Sequence, residues 1–122
     1  MGDVETKMDL PFIKLYTGDY RSMTIALSPA EKGAFFDLAL YFWDTGKPIA
    51  DDDGRLSRIV GCSISEWRRM KPNLIEAGFE VRDGFWRIPY FEHIRDKSEE
   101  THRIFSERAR KAANARYSKG AA

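Results

Sequence analysis

Residues 27–43 read LSPAEKGAFFDLALYFW, and this is the stretch on which the rest of the chain has to pack. Ser28 stands as an N-cap, Pro29 takes the first helical position, and Glu31 follows three residues after the cap, the pattern of a capping box. From Ala34 to Trp43 the sole charged residue is Asp37, so apolar groups fall on nearly every side of the helical wheel. A helix of that kind needs cover from other elements. Gly46 followed by Pro48 supplies the stop.

Upstream, residues 11–16 (PFIKLY) form a short apolar run expected to lie extended across this helix, with Pro11 tolerated at its start. Thr17-Gly18-Asp19 reads as a turn, and in residues 20–27 Met23, Ile25 and Leu27 are expected to alternate inward. Downstream, Asp51-Asp52-Asp53-Gly54 reads as an exposed turn whose last aspartate caps a short helix over residues 55–60, ended by Gly61. A calcium loop needs alternating oxygen ligands and a distal Glu, which this run lacks. Ser63 with Glu66 forms a second capping box, Ser65 competing, and opens a third helix with Trp67, Met70, Leu74 and Ile75 on one face. Pro72 should kink or break it, since it removes a hydrogen bond to Arg68.

Residues 79–89 (FEVRDGFWRIP) give two β-favouring runs around Asp83-Gly84, a strong hairpin signal, with Phe79, Val81, Trp86 and Ile88 facing the core. Residues 92–117 read as a long helix with a thin apolar stripe that includes Ile94, His102, Phe105 and Ala109.

The composition is that of an ordinary soluble domain, and one cysteine, Cys62, permits no intrachain disulfide and fits a reducing cytoplasm. No apolar run is long enough to span a membrane. The net charge of +1 hides a split: residues 1–53 carry five Lys/Arg against ten Asp/Glu, and the remainder fifteen against nine. A basic half of this kind suits a polyanion, or an acidic face of a neighbour.

Helix, short helix, helix and hairpin, in that order, are the elements of a winged helix-turn-helix. The expected fold class is therefore mostly α with a small β-hairpin: a disordered N-terminus at 1–9, a winged helix-turn-helix over 10–90, a basic C-terminal helix over 91–117 and a loose tail at 118–122.

Four sets of residues resemble one family: Leu10-Pro11-Phe12-Ile13-Lys14-Leu15-Tyr16-Thr17-Gly18-Asp19-Tyr20; the Leu27-Ser28 cap into an aromatic helix; Trp67-Arg68-Arg69 with Pro72-Asn73-Leu74; and the aromatic hairpin. Over 10–117 the chain resembles the YdaU-like family, a phage- and prophage-associated domain of unknown function similar to the N-terminal winged-helix domains of phage replication initiators. Residues 108–117 (RARKAANARY) resemble the basic small-residue segment behind that domain, with alanines where the family tends to have glycines. The resemblance implies a role near replication and brings no catalytic motif.

His93 and His102, nine residues apart, have no partner at zinc-ligand spacing and form no local motif with Cys62. No enzyme activity, metal or cofactor is expected. The expectation is DNA binding through three groups. Arg68, Arg69, Lys71 and Asn73 lie opposite the apolar stripe of the third helix, where a recognition helix presents side chains to the major groove. Arg82 and Arg87 flank the wing tip, and Arg108, Arg110, Lys111 and Arg116 belong to the basic tail. The alternative is a protein-interaction module that forms a homo-oligomer through the C-terminal helix or docks on a host protein. Against strong sequence reading stand Glu66 and Glu76 on the third helix and the acidic first half.

Overall fold

The Ser28 hydroxyl accepts from the Glu31 backbone N–H at 3.2 Å, and the Glu31 carboxylate accepts from the Ser28 N–H at 2.9 Å. This reciprocal cap starts α2 (Pro29–Thr45), which Gly46 ends in the left-handed region at φ 71°. The computed structural model describes residues 10–121, with side chains over 10–116; the stretch 1–9, expected to be disordered, and Ala122 of the expected loose tail lie outside the described residues. Ala34, Phe35, Leu38, Ala39, Phe42 and Trp43 of α2 are buried and recur on one face, so cover comes from one side and not all round: Leu40 is exposed and Phe36 and Tyr41 are half-buried.

Residues 10–16 run irregularly along the body, with Ile13 and Leu15 turned inward and Phe12, Lys14 and Tyr16 outward. The expected turn at 17–19 is instead the first turn of α1 (Thr17–Thr24), whose last turn is closed by the Thr24 hydroxyl donating to the Tyr20 carbonyl. Packing overrides the turn chemistry here: the Tyr20 ring meets Phe35 edge-on at 5.7 Å, which helical winding at 17–24 makes possible. In consequence Ile25 points outward, 73% exposed, where alternation had put it inside.

Beyond Gly46 the chain forms β1 (Ile49–Ala50), then α3 (Asp53–Val60), α4 (Ile64–Ala77), β2 (Glu80–Arg82), β3 (Phe85–Arg87) and α5 (Pro89–Ala121). The cap of α3 is Asp52, not Asp53: its carboxylate accepts from the Gly54 and Arg55 N–H groups. Ser63 and Glu66 form the capping box of α4, so Ser65 loses the competition. Pro72 neither breaks nor restarts α4, because Trp67, Met70 and Leu74 hold both of its flanking turns in the core.

Asp83 and Gly84 both take positive φ, 55° and 81°, as a two-residue hairpin turn demands. Phe79, Trp86 and Ile88 are buried as expected, whereas Val81 lies exposed on the outer strand. The hairpin is part of a three-stranded antiparallel sheet in the order β1-β3-β2, with Ile49 opposite Trp86 and Val81 opposite Trp86 on the other side. Two residues of β1 carry no pattern of their own; they form a strand because β3 offers them an edge.

Rings tie the layers together: Phe35 to Phe79 at 5.0 Å, Phe79 to Trp86 at 5.5 Å, Trp86 to Trp67 at 5.1 Å. Helix α5 starts earlier than expected and includes residues 118–121, which the sequence places in a loose tail. Its first turns complete the core through Phe91 and Ile94, while every residue from 101 to 116 is exposed.

Leu38 has no exposed surface and Leu40 faces outward. Leu38→Ala is therefore expected to lower the urea-unfolding free energy by about 2–5 kcal/mol, and Leu40→Ala by less than about 1 kcal/mol.

Candidate nucleic-acid interface

The residues of α4 expected to face DNA are largely engaged with the chain's own acids. Arg68 donates through Nε to Asp53 at 2.9 Å, and Lys71 reaches Asp53 at 3.1 Å and Asp51 at 3.4 Å. The Asn73 amide donates to Glu31 Oε2 at 2.7 Å, joining α4 to the cap of α2. Arg69 is exposed, its charge felt by Glu66 one turn earlier.

The same two aspartates accept from indole N–H groups: Trp67 to Asp53 at 2.9 Å, Trp86 to Asp51 at 2.8 Å. Alternate residues of a short extended run face one way, which lets Asp51 and Asp53 serve the tryptophans while Asp52 caps α3. Asp51 and Asp52 are exposed, as expected of a turn, and the triplet is in addition a structural anchor through Asp51 and Asp53. Hydrogen bonds from Arg68 and Lys71, with a smaller one from Trp67, hold the Asp53 carboxyl down at about 2. Lys71 sits 6.0 Å over the Trp86 ring, and its partners Asp53 and Asp51 outweigh burial and raise its pKa.

On the hairpin, Arg82 lies 3.5 Å from Glu80 and remains largely exposed. Arg87 makes two contacts to Glu92, at 3.1 and 3.2 Å, and ties β3 to α5. Arg108, Arg110, Lys111 and Arg116 are exposed on the part of α5 that has left the body. The ten expected residues therefore form no single surface: Arg68 and Lys71 meet at Asp53, Asn73 and Arg87 brace neighbouring elements, and the tail arginines stand apart.

A different set converges where the sequence pointed to none. Two adjoining cavities of about 380 and 410 Å³ lie between residues 10–16 and α5 and share Lys14 and Thr101. Tyr16, Tyr90, His93 and Lys97 line one, Phe12, His102 and Phe105 the other. The Tyr90 hydroxyl donates to Asp19 at 2.7 Å; burial first, then that carboxylate, pushes it up to about 12. The signal that was available is the outward alternation of Phe12, Lys14 and Tyr16, which appears once Ile13 and Leu15 are turned inward.

A third cavity of about 450 Å³, between α2 and the α3–α4 turn, is lined by Glu31, Asp37, Glu66, Arg69 and Cys62, whose thiol is pushed up by burial and by Glu66. Cys62 thus lies in a different cavity from His93 and His102, which line the two adjoining ones. Among the described residues no three His, Cys, Asp or Glu side chains are grouped to hold a metal ion, and no helix is long and apolar enough to cross a membrane.

Because the Asp53 carboxyl is held below its ordinary value of 3.8, it contributes stability that is present above that value and lost as pH falls toward about 2. Asp53→Asn is expected to lower stability at pH 7 by about 1–3 kcal/mol and to flatten the loss over that acid window, read by urea unfolding at a series of pH values.

Residues 11–95 match a family described as Protein of unknown function (DUF1376). The chain is 39% identical over 67 residues to the Uncharacterized protein YdaU of Escherichia coli (strain K12), an alignment covering 55% of this chain and 23% of that protein, so it spans about a quarter of its relative's length. No solved structure matches the chain. With 11–95 taking in everything from the irregular segment to the anchored start of α5, the chain belongs to the DUF1376 family, a YdaU-like domain.

Proposed function

We propose that this chain is a non-enzymatic DNA-binding domain of winged-helix type, acting in phage or prophage replication or its regulation. The observation that carries the reading is the outer part of α5. Residues 103–116 hold Arg103, Arg108, Arg110, Lys111 and Arg116 against Glu107 alone, all of them exposed. Among the described residues none of these five cations is ion-paired, so each can displace counterions from a phosphate backbone.

The element order supports the winged-helix part of the reading. Helix α2, strand β1, helices α3 and α4, then β2 and β3, with β1 pairing β3, follow the order in which that fold places a recognition helix and a wing. In this arrangement α4 offers Arg69, and Arg82 flanks the wing tip. Arg68, Lys71, Asn73 and Arg87 serve the fold first, which favours backbone contact over base reading. The separation of Cys62 from both histidines speaks for a binding protein rather than a catalyst. A second reading, self-association or docking on a host protein through the C-terminal helix, is favoured by Phe105 on the same outer part, 64% exposed.

Anisotropy of a labelled duplex should show affinity falling with salt at a log–log slope of roughly −4 to −5. Replacing Arg108, Arg110 and Lys111 together by Ala should reduce that slope by about 3, Arg69→Ala by about 1, and Arg87→Ala by nothing. Absence of duplex binding at low salt would defeat the reading.

A further inference from the structure

We infer that the trough between residues 12–16 and α5 is a binding site for single-stranded nucleic acid. No residue of α4 or the hairpin lines it; the inference shares Arg108 and Lys111 with the duplex reading and goes beyond it in the rings.

Rings with free faces gather there. Phe12 is 82% exposed, Tyr16 49% and Phe105 64%, and Ile104 is exposed beside them on α5. Exposed apolar groups gathered in one place mark an interaction site. Cations alternate with the rings: Lys14 Nζ lies 5.8 Å from the Tyr16 ring centroid, and Lys97 lines the same cavity. The one carboxylate in the trough, Asp19, already accepts from Tyr90.

The pattern continues along the helix. Lys97, Arg108 and Lys111, with Thr101 between, recur at intervals that place them on one face, a strip about 20 Å long at 1.5 Å per residue, with Glu100 and Glu107 along one edge of it. A cationic strip that tracks phosphates beside platforms for successive bases is the arrangement that holds an unpaired strand. A duplex keeps its base faces stacked inside and has nothing to offer these rings. Any base can stack, and the trough has no array of amides or carboxylates to read base edges, so the site should be tolerant of sequence.

The test is anisotropy of fluorescein-labelled dT12 with the full chain, beside a 12-base-pair duplex. Binding of dT12 is expected, weakened about fivefold or more by Phe12→Ala and by Phe105→Ala, restored by Phe105→Trp, and weakened by Lys97→Glu with a shallower salt slope. Duplex affinity should stay within about twofold in the two Phe→Ala variants. Both phenylalanines are exposed, so unchanged circular dichroism and melting are expected to accompany the loss. Duplex binding without dT12 binding would overturn this inference and leave the duplex reading standing. So would dT12 affinity that ignores the ring substitutions. A concentration-dependent dimer that Phe105→Ala abolishes, with no dT12 bound, would also overturn it and give the trough to a second copy of the chain.

Discussion

Two indole N–H groups buried under the sheet, those of Trp67 and Trp86, each need an acceptor, and the chain supplies both from the short acidic run that leads into α3. A buried donor left without a partner costs about 1–3 kcal/mol, so the position of Asp51 and Asp53 is fixed by the rings they serve. Much follows from that. The run from β1 into α3 is held against α4 and β3, Asp52 is left at the α3 N-terminus, and the two carboxylates, partly buried, draw Lys71 and Arg68 toward them. Trp43 shows the contrasting case. Its Nε1 is buried without a partner, while its carbonyl accepts from the buried Arg95 guanidinium at 2.7 Å, and Arg95 also pairs with Glu99.

That anchor engages Arg68 and Lys71 of α4, while Asn73 braces the same helix against Glu31. A helix face bearing Arg68, Lys71 and Asn73 opposite an apolar stripe looks like a surface made for phosphates. Their partners lie 15, 18 and 42 residues away along the chain, and no periodicity reports on them. The acidic surplus of the first half is the same fact seen from the other side. Several of its carboxylates, at Asp19, Glu31, Asp51 and Asp53, are turned to partners within the molecule.

What could be read locally was read correctly because the physics is local. Both capping boxes, the glycine stops at Gly46 and Gly61 and the Asp83-Gly84 turn each depend on a few neighbouring residues. The failures all needed a distant partner. Helix α1 winds where Tyr20 can reach Phe35, β1 exists as the pair of β3, and Val81 is exposed because the outer strand has nothing beyond it. In the candidate site, the tail cations were legible as composition. The trough was not, since it is made by two segments some eighty residues apart in the sequence.

Helix α5 is anchored at one end only. An isolated helix is marginal in water because its first turn is costly to form. Here Phe91, Ile94 and Arg95 are locked into the body, so the first turns act as a nucleus and the helix propagates outward from a fixed direction. Every residue over 101–116 is exposed, and Thr101, His102 and Phe105 border the trough with Phe12 and Lys14. The pattern is positive with one aromatic near its base, and that aromatic, Phe105, adjoins the outward Phe12 and Lys14. The fold thus holds a positively charged helix beside a ring-lined trough, and Phe105 borders both.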